Sequence, residues 1–259
     1  MAITVLCLLA LVAASQALPY DLMPQVNNGQ IAAKGQFPYQ VYILGKISKW
    51  QVVSECGGAI ISENYVVTSA LCLKKNNAHR FVVYAGTTDL REFEGYKYEV
   101  EEFIYPPSQD YETKENDIAL LKLKKSFDKV PEIQSIALPK KNDSLKAGDV
   151  AIVSGWGKQE GDVITDAYLR YTSVVITDLD ECRKIYEYEA NMIRNTNICA
   201  YKRGDDIGPC FDDEGGPLTK DGELVGIISW SRNDCADGTF PFIYTRVSSY
   251  LDWIKTNTV

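Results

Sequence analysis

Short runs rich in β-branched and aromatic residues recur along this chain at roughly 8 to 12 residue spacing, the pattern of a β-sandwich or barrel. They include Tyr39 to Leu44, Gly57 to Ser62, Tyr65 to Ser69, Phe81 to Ala85, Ile118 to Leu123, Val150 to Ser154, Ser173 to Ile176, Leu224 to Trp230 and Ile243 to Val247. Only two stretches read as helix. Asp178 to Ile193 places Leu179, Cys182, Ile185 and Tyr186 on one face, and Val247 to Lys255 places Val247, Leu251 and Ile254 at i, i+4 and i+7. The reading is all-β. No internal repeat interrupts it, and the polar stretch from Leu138-Pro139 to Gly148 reads as a linker between halves.

The first residues place the chain outside the cytosol. Ile3 to Ala14 is an apolar run too short to span a bilayer, which needs about 20 such residues, and Ser15-Gln16-Ala17 offers small residues for cleavage after Ala17. Residues 1–17 therefore read as a secretory signal, with a secreted product and no membrane association. Cys7 leaves with it. The remaining Cys56, Cys72, Cys182, Cys199, Cys210 and Cys235 form an even set suited to three disulfides in an oxidising compartment, and counting alone leaves their pairing open. Asn142-Asp143-Ser144 is a glycosylation sequon.

Charge and histidine count remove whole classes of chemistry. A net charge of −8 argues against a nucleic-acid partner, which needs Lys and Arg to neutralise phosphates. The one histidine, His79, sits in a polar stretch beside Lys74, Lys75 and Arg80, so neither a histidine-rich metal site nor a pair of imidazoles acting as acid and base is available. No metal or cofactor is expected.

Ordered motifs then point to a family. Phe37-Pro38-Tyr39-Gln40-Val41, Cys56-Gly57-Gly58, Val66 to Cys72, Asn116-Asp117-Ile118-Ala119-Leu120-Leu121, Ser154-Gly155-Trp156-Gly157, Cys210 to Pro217, Ser229-Trp230 and Trp253-Ile254 follow one another in the order and spacing of trypsin-like serine proteases. The resemblance runs from Val26 to the end of the chain. It implies two perpendicular, six-stranded antiparallel Greek-key β-barrels with a C-terminal α-helix. The N-terminal barrel is expected over about 26–138 and the C-terminal barrel with its helix over about 148–259, behind a short propeptide at 18–25. It also implies the pairings Cys56–Cys72, Cys182–Cys199 and Cys210–Cys235.

Carried over residue by residue, the resemblance implies a protease without its chemistry. The general-base position holds Leu71, the orienting carboxylate is Asp117, and the nucleophile position holds Glu214. Leu71 accepts no proton, so nothing activates a nucleophile or protonates a leaving amine. Asp212 stands where the family has the Gly whose N–H helps hold the oxyanion, bringing negative charge towards developing negative charge. In the specificity pocket the matching positions are Gly208 at the base, Ser231 on the wall, and Phe242, whose ring is expected to fill the slot and block the cleft. Gln25 precedes the expected mature N-terminus Val26, so a trypsin-like activator finds no Arg or Lys. Asp213, which pairs with the freed N-terminal ammonium in active members, is retained. Asp117 then reads as a buried carboxylate kept by hydrogen bonds, and Ser229, Gly215, Gly216 and Trp156 as fold-determining.

The chain is similar to mite group 3 proteases and to the scabies mite inactivated protease paralogues. That resemblance implies a secreted, monomeric binding protein that contacts host proteins, complement components above all. Tyrosines among acidic residues, in Glu94-Gly95-Tyr96-Lys97-Tyr98-Glu99 and Tyr186-Glu187-Tyr188-Glu189, are candidate contacts if exposed, though such stretches more often read as solvated loop. The alternatives are a hydrolase in which Glu214 works with Asp117 or Asp212, and a decoy that binds protease substrates or inhibitors. Metal binding by the consecutive Asp212, Asp213 and Glu214 is disfavoured, because adjacent residues on a turn rarely converge on one ion, and heparin binding is disfavoured by the charge.

Overall fold

The computed structural model describes residues 26, 29–48, 51–74, 78, 80–91, 95–140, 145–157 and 167–258. Residues 1–25, His79 and Asn142 lie outside the described residues, so the readings of signal, propeptide and sequon concern the sequence alone.

Thirteen strands are present among the described residues. The first seven are β1 (Gln30–Ile31), β2 (Gln40–Lys46), β3 (Val52–Ile60), β4 (Tyr65–Thr68), β5 (Arg80–Ala85), β6 (Tyr96–Ile104) and β7 (Ala119–Leu123). They are followed by β8 (Val150–Gly155), β9 (Arg170–Thr177), β10 (Asn197–Tyr201), β11 (Pro217–Lys220), β12 (Glu223–Trp230) and β13 (Phe242–Arg246). Strands β2-β3-β4-β7-β6-β5 close into one six-stranded barrel. Strands β8-β9-β10-β13-β12-β11 close into a second through the β8–β9 pairing, with β1 added beside β9. Every named pairing is antiparallel, so the expected architecture is present.

Strand periodicity explains how the two barrels share walls. On β2, Val41 and Ile43 point into the first barrel with Val83, Tyr98 and Leu121, while Tyr42 and Leu44 pack with Trp156 and Leu169 from the second half. Strand β7 divides likewise. Leu121 and Leu123 face the barrel interior, and Leu120 joins Leu224, Ile227, Val247 and Ile254 between the barrels. Each fully buried aliphatic or aromatic side chain contributes about 1.5–3 kcal/mol, so these shared walls help hold the two halves together. The second barrel closes over Val153, Val174, Leu218, Ile228 and Tyr244.

Among the described residues three α-helices accompany the strands: α1 (Ala70–Lys74), α2 (Leu179–Tyr186) and α3 (Leu251–Asn257). Asp178 caps α2 by accepting the N–H groups of Asp180 and Glu181. The expected helix to Ile193 is α only as far as Tyr186. Glu187 takes φ 43°, and a 3₁₀ turn carries the chain to Met192. The C-terminal helix begins with a 3₁₀ turn over Val247–Tyr250 and buries Ile254. The disulfides join Cys56 to Cys72, Cys182 to Cys199 and Cys210 to Cys235, the pairing the resemblance implied.

The tyrosine-and-charge segment corrects the sequence reading. Tyr96–Ile104 is strand β6 rather than a loop, and Tyr98 is wholly buried, stacking edge-on against Phe127 and donating its hydroxyl to Asp128. Tyr186 is buried too, against Trp230 and Phe240. Only Tyr96 and Tyr188 of these four are open to solvent. The glutamates of β6 lie on the outer face, where Glu99 pairs with Arg80 and Lys124, and that polar face hides the strand's inward period of two.

Candidate active-site cleft

The family-matched positions converge where the barrels meet. A cavity of about 180 Å³ is lined by Leu71 and Cys72 from α1, by Tyr111 and Lys114 from the loop before β7, and by Glu214, Ser229, Trp230, Ser231, Asp234 and Phe242 from the second barrel. The structure therefore brings Leu71, Glu214, Ser231 and Phe242 together. Phe242 lies in the cleft wall as expected, yet its ring is buried among Val153, Leu218 and Tyr244 and does not fill the cleft. A cavity remains beside Phe242, where the slot was expected to be blocked. Gly208 and Asp212 are not among the residues lining the cavity.

Asp117 is 1% exposed and fully engaged. Its carboxylate accepts from Ser69 Oγ at 2.7 Å, from the Leu71 N–H at 2.8 Å and from Ser229 Oγ across the barrel junction, while its carbonyl accepts from Thr245 Oγ1 at 2.6 Å. Burial pushes its carboxyl pKa up, and the three donors act against that shift. The orienting carboxylate thus faces a backbone N–H and two hydroxyls in a site with no imidazole. An Asp117→Asn variant swaps an acceptor for a donor against these groups and is expected to lower stability by about 2 kcal/mol. Urea denaturation with the parent as control measures this, and an unchanged midpoint would refute the structural role given to Asp117.

The three consecutive acids diverge. Asp213 turns inward, accepting from the Gly157 N–H at 2.7 Å and the Cys210 N–H at 2.9 Å, and its carboxylate lies so close to Gly155 and Gly157 that a side chain at either would collide with it. Burial pushes Asp213 up to about 7, with Glu214 and Asp212 adding to the rise. Asp212 adopts φ 69°, a conformation suited to the glycine the family has there, and its charge raises the Tyr42 phenol after burial and Glu55. Glu214 remains in the cleft, its carbonyl accepting from the Gly57 N–H at 2.9 Å. Among the described residues no group of three or more His, Cys, Asp or Glu is arranged to hold a metal ion. Of the carboxylates named as partners of Glu214, Asp117 is engaged by its own donors and Asp212 does not line the cavity.

The fold-determining readings acquire contacts. Gly215 has φ 87°, and a Cβ there would lie 2.1 Å from Thr68 Oγ1 and 2.5 Å from the Gly57 carbonyl. Ser229 ties β12 to Asp117, and Trp156 packs edge-on against Tyr42 between the barrels. Sequence reasoning missed Lys114, Tyr111 and Asp234. The nearness of Lys114 to Asp117 in the chain was the available signal for the first.

Comparisons with known proteins agree with this geometry. The family profile for trypsin matches residues 26–254. A trypsin of Simulium vittatum is 34% identical over 236 residues, covering 91% of this chain and 94% of that protein. Trypsin alpha of Drosophila melanogaster is 33% identical over 242 residues, covering 92% and 90%. Among solved structures, HL collagenase superposes with a TM-score of 0.78 at 31% identity over 89% of this chain and 97% of its own. Neuropsin, a serine protease expressed in the limbic system of mouse brain, gives 0.76 at 26% identity, covering 90% and 99%. Two closed barrels, three bridges and a cleft built on Leu71, Asp117 and Glu214 accompany these matches, and the chain belongs to the trypsin family of serine proteases.

Proposed function

We propose that this chain is a catalytically silent member of its family, secreted and acting by binding, with components of host complement as its partner. The observation that carries the reading is at Leu71. Its backbone N–H donates to Asp117 at 2.8 Å, so the general-base position is built, and the side chain there has no proton acceptor. Glu214 in the same cleft supports it, because the nucleophile position holds a carboxylate and no imidazole stands at the general-base position to serve it. The relatives named trypsin share the fold, and their names carry activity for them. The complement partner follows from the resemblance to mite protease paralogues, and the contact proposed for it is the cleft together with the rims around it. Exposed Tyr188 and Tyr96 are available for such contact.

The test uses the secreted chain at micromolar concentration. No turnover of peptide amides is expected beside an active trypsin, together with reduced complement-mediated lysis and capture of a complement component from host plasma. Amide turnover that survives repurification would end the reading of silence. Unchanged lysis with no component captured would end the complement assignment.

A further inference from the structure

Lys114 is held in the cleft against two costs. It is a non-glycine residue at φ 55°, a strained conformation for a residue with a Cβ, and its side chain is half-buried, so desolvation pushes its ammonium pKa down. The compensation is local. Nζ lies 4.3 Å from the centroid of the Trp230 ring, and Asp117, Asp234, Glu189 and Glu214 all favour its charge. Trp230 is 7% exposed, and its indole N–H has no hydrogen-bond partner. Trp230, Glu214 and Asp234 line the same cavity as Lys114.

We infer that the Trp230 face, with Glu214 and Asp234 beside it, is a site for an organic cation, filled from within by Lys114, and that the group it takes from a partner protein is an ammonium or guanidinium side chain. Recognition does not use the base of the specificity pocket, where Gly208 carries no charge. A cavity of about 180 Å³ accommodates one side-chain head group rather than a drug-sized ligand, which needs roughly 300 Å³ or more. The resident lysine lowers apparent affinity in proportion to the time it occupies the site, so an incoming cation must displace it.

This inference rests on the cleft being a binding surface. A titration reads the site without turnover, so its failure and the failure of catalytic silence are separately visible. The probe is n-butylammonium at constant ionic strength, followed through the Trp230 indole N–H resonance, which is assigned from a Trp230→Phe sample. Lys114→Met is expected to bind saturably and about tenfold more tightly than the parent, and Asp234→Asn on that background to weaken binding severalfold. Lys114→Gly suits the positive φ, removes the same ammonium and is expected to match Lys114→Met, which guards against misfolding. Absence of saturable binding in both variants would overturn the cation site, as would equal shifts with neutral n-pentanol. Equal affinity in parent and variants would overturn the self-occupation.

Discussion

A chain beginning at Val26 and carrying Leu71→His, Asp212→Gly and Glu214→Ser together is expected to hydrolyse an activated ester with a small acyl group at least about 10³-fold faster than the unsubstituted chain. Each substitution alone is expected to stay near background. The size follows from the parts restored: a base for the nucleophile, a nucleophile for the base, and an oxyanion donor worth about 10² to 10³ on its own. Non-additivity follows because these groups act as a unit. The scaffold favours the outcome, since Asp117 already accepts from the backbone of residue 71 and from Ser229, and Gly at 212 suits the φ of 69° that Asp now occupies. A small acyl group is chosen because the cavity, with Phe242 in its wall, is only about 180 Å³. Burst and steady-state rates on repurified protein measure the gain. A triple variant that stays folded yet silent would show that the deficit extends beyond these three positions. An unsubstituted chain already as fast as the triple variant would show that Leu71 and Glu214 do not mark a silent enzyme.

The barrel architecture and the three bridges were legible because motif spacing fixes the family and the family fixes the topology. What the pattern could not show was anything decided by the surroundings of a side chain. Strand β6 was hidden because its outward residues are Glu99, Glu101 and Glu102, so Tyr98 read as part of a polar loop although it is wholly buried. Strand β11 is only Pro217–Lys220, too short to show a period, and β1 is a two-residue pairing. At the site, the substituted positions were visible as letters. Their consequences were not. Phe242 lines the cleft without filling it because its ring packs in the second core, and Lys114 reaches Trp230 from a left-handed backbone.

The remaining large effect is expected in stability against pH, and it depends on whether residues 18–25 are still attached. In the folded chain burial raises the Asp213 carboxyl from its ordinary 3.8 to about 7. Between those pH values the folded state binds more protons than the unfolded state, so stability falls as pH rises through the window. Below about pH 4 both states are protonated and the contribution is intact. Above about pH 7 both are ionised and the loss is complete, on the order of 4 kcal/mol. Asp117 is raised as well and acts in the same sense. Release of Val26 would supply an ammonium, the counter-charge that the family resemblance implies for this carboxylate. Val26 is wholly buried, and Gly29, packed against it, has its carbonyl held at 3.0 Å by Arg170, the strand partner of the Gly155 that Asp213 touches. An ammonium brought against Asp213 would lower its folded-state pKa, and the chain beginning at Val26 is then expected to lose much less stability between pH 5 and pH 8 than the chain that retains 18–25. Asp213→Asn in the longer chain is expected to flatten its curve, leaving the part due to Asp117. Urea midpoints of the three proteins at both pH values decide the matter. If the two N-termini give parallel curves, the Val26 ammonium does not reach Asp213, and the inward-turned carboxylate is held by the Gly157 and Cys210 amides alone.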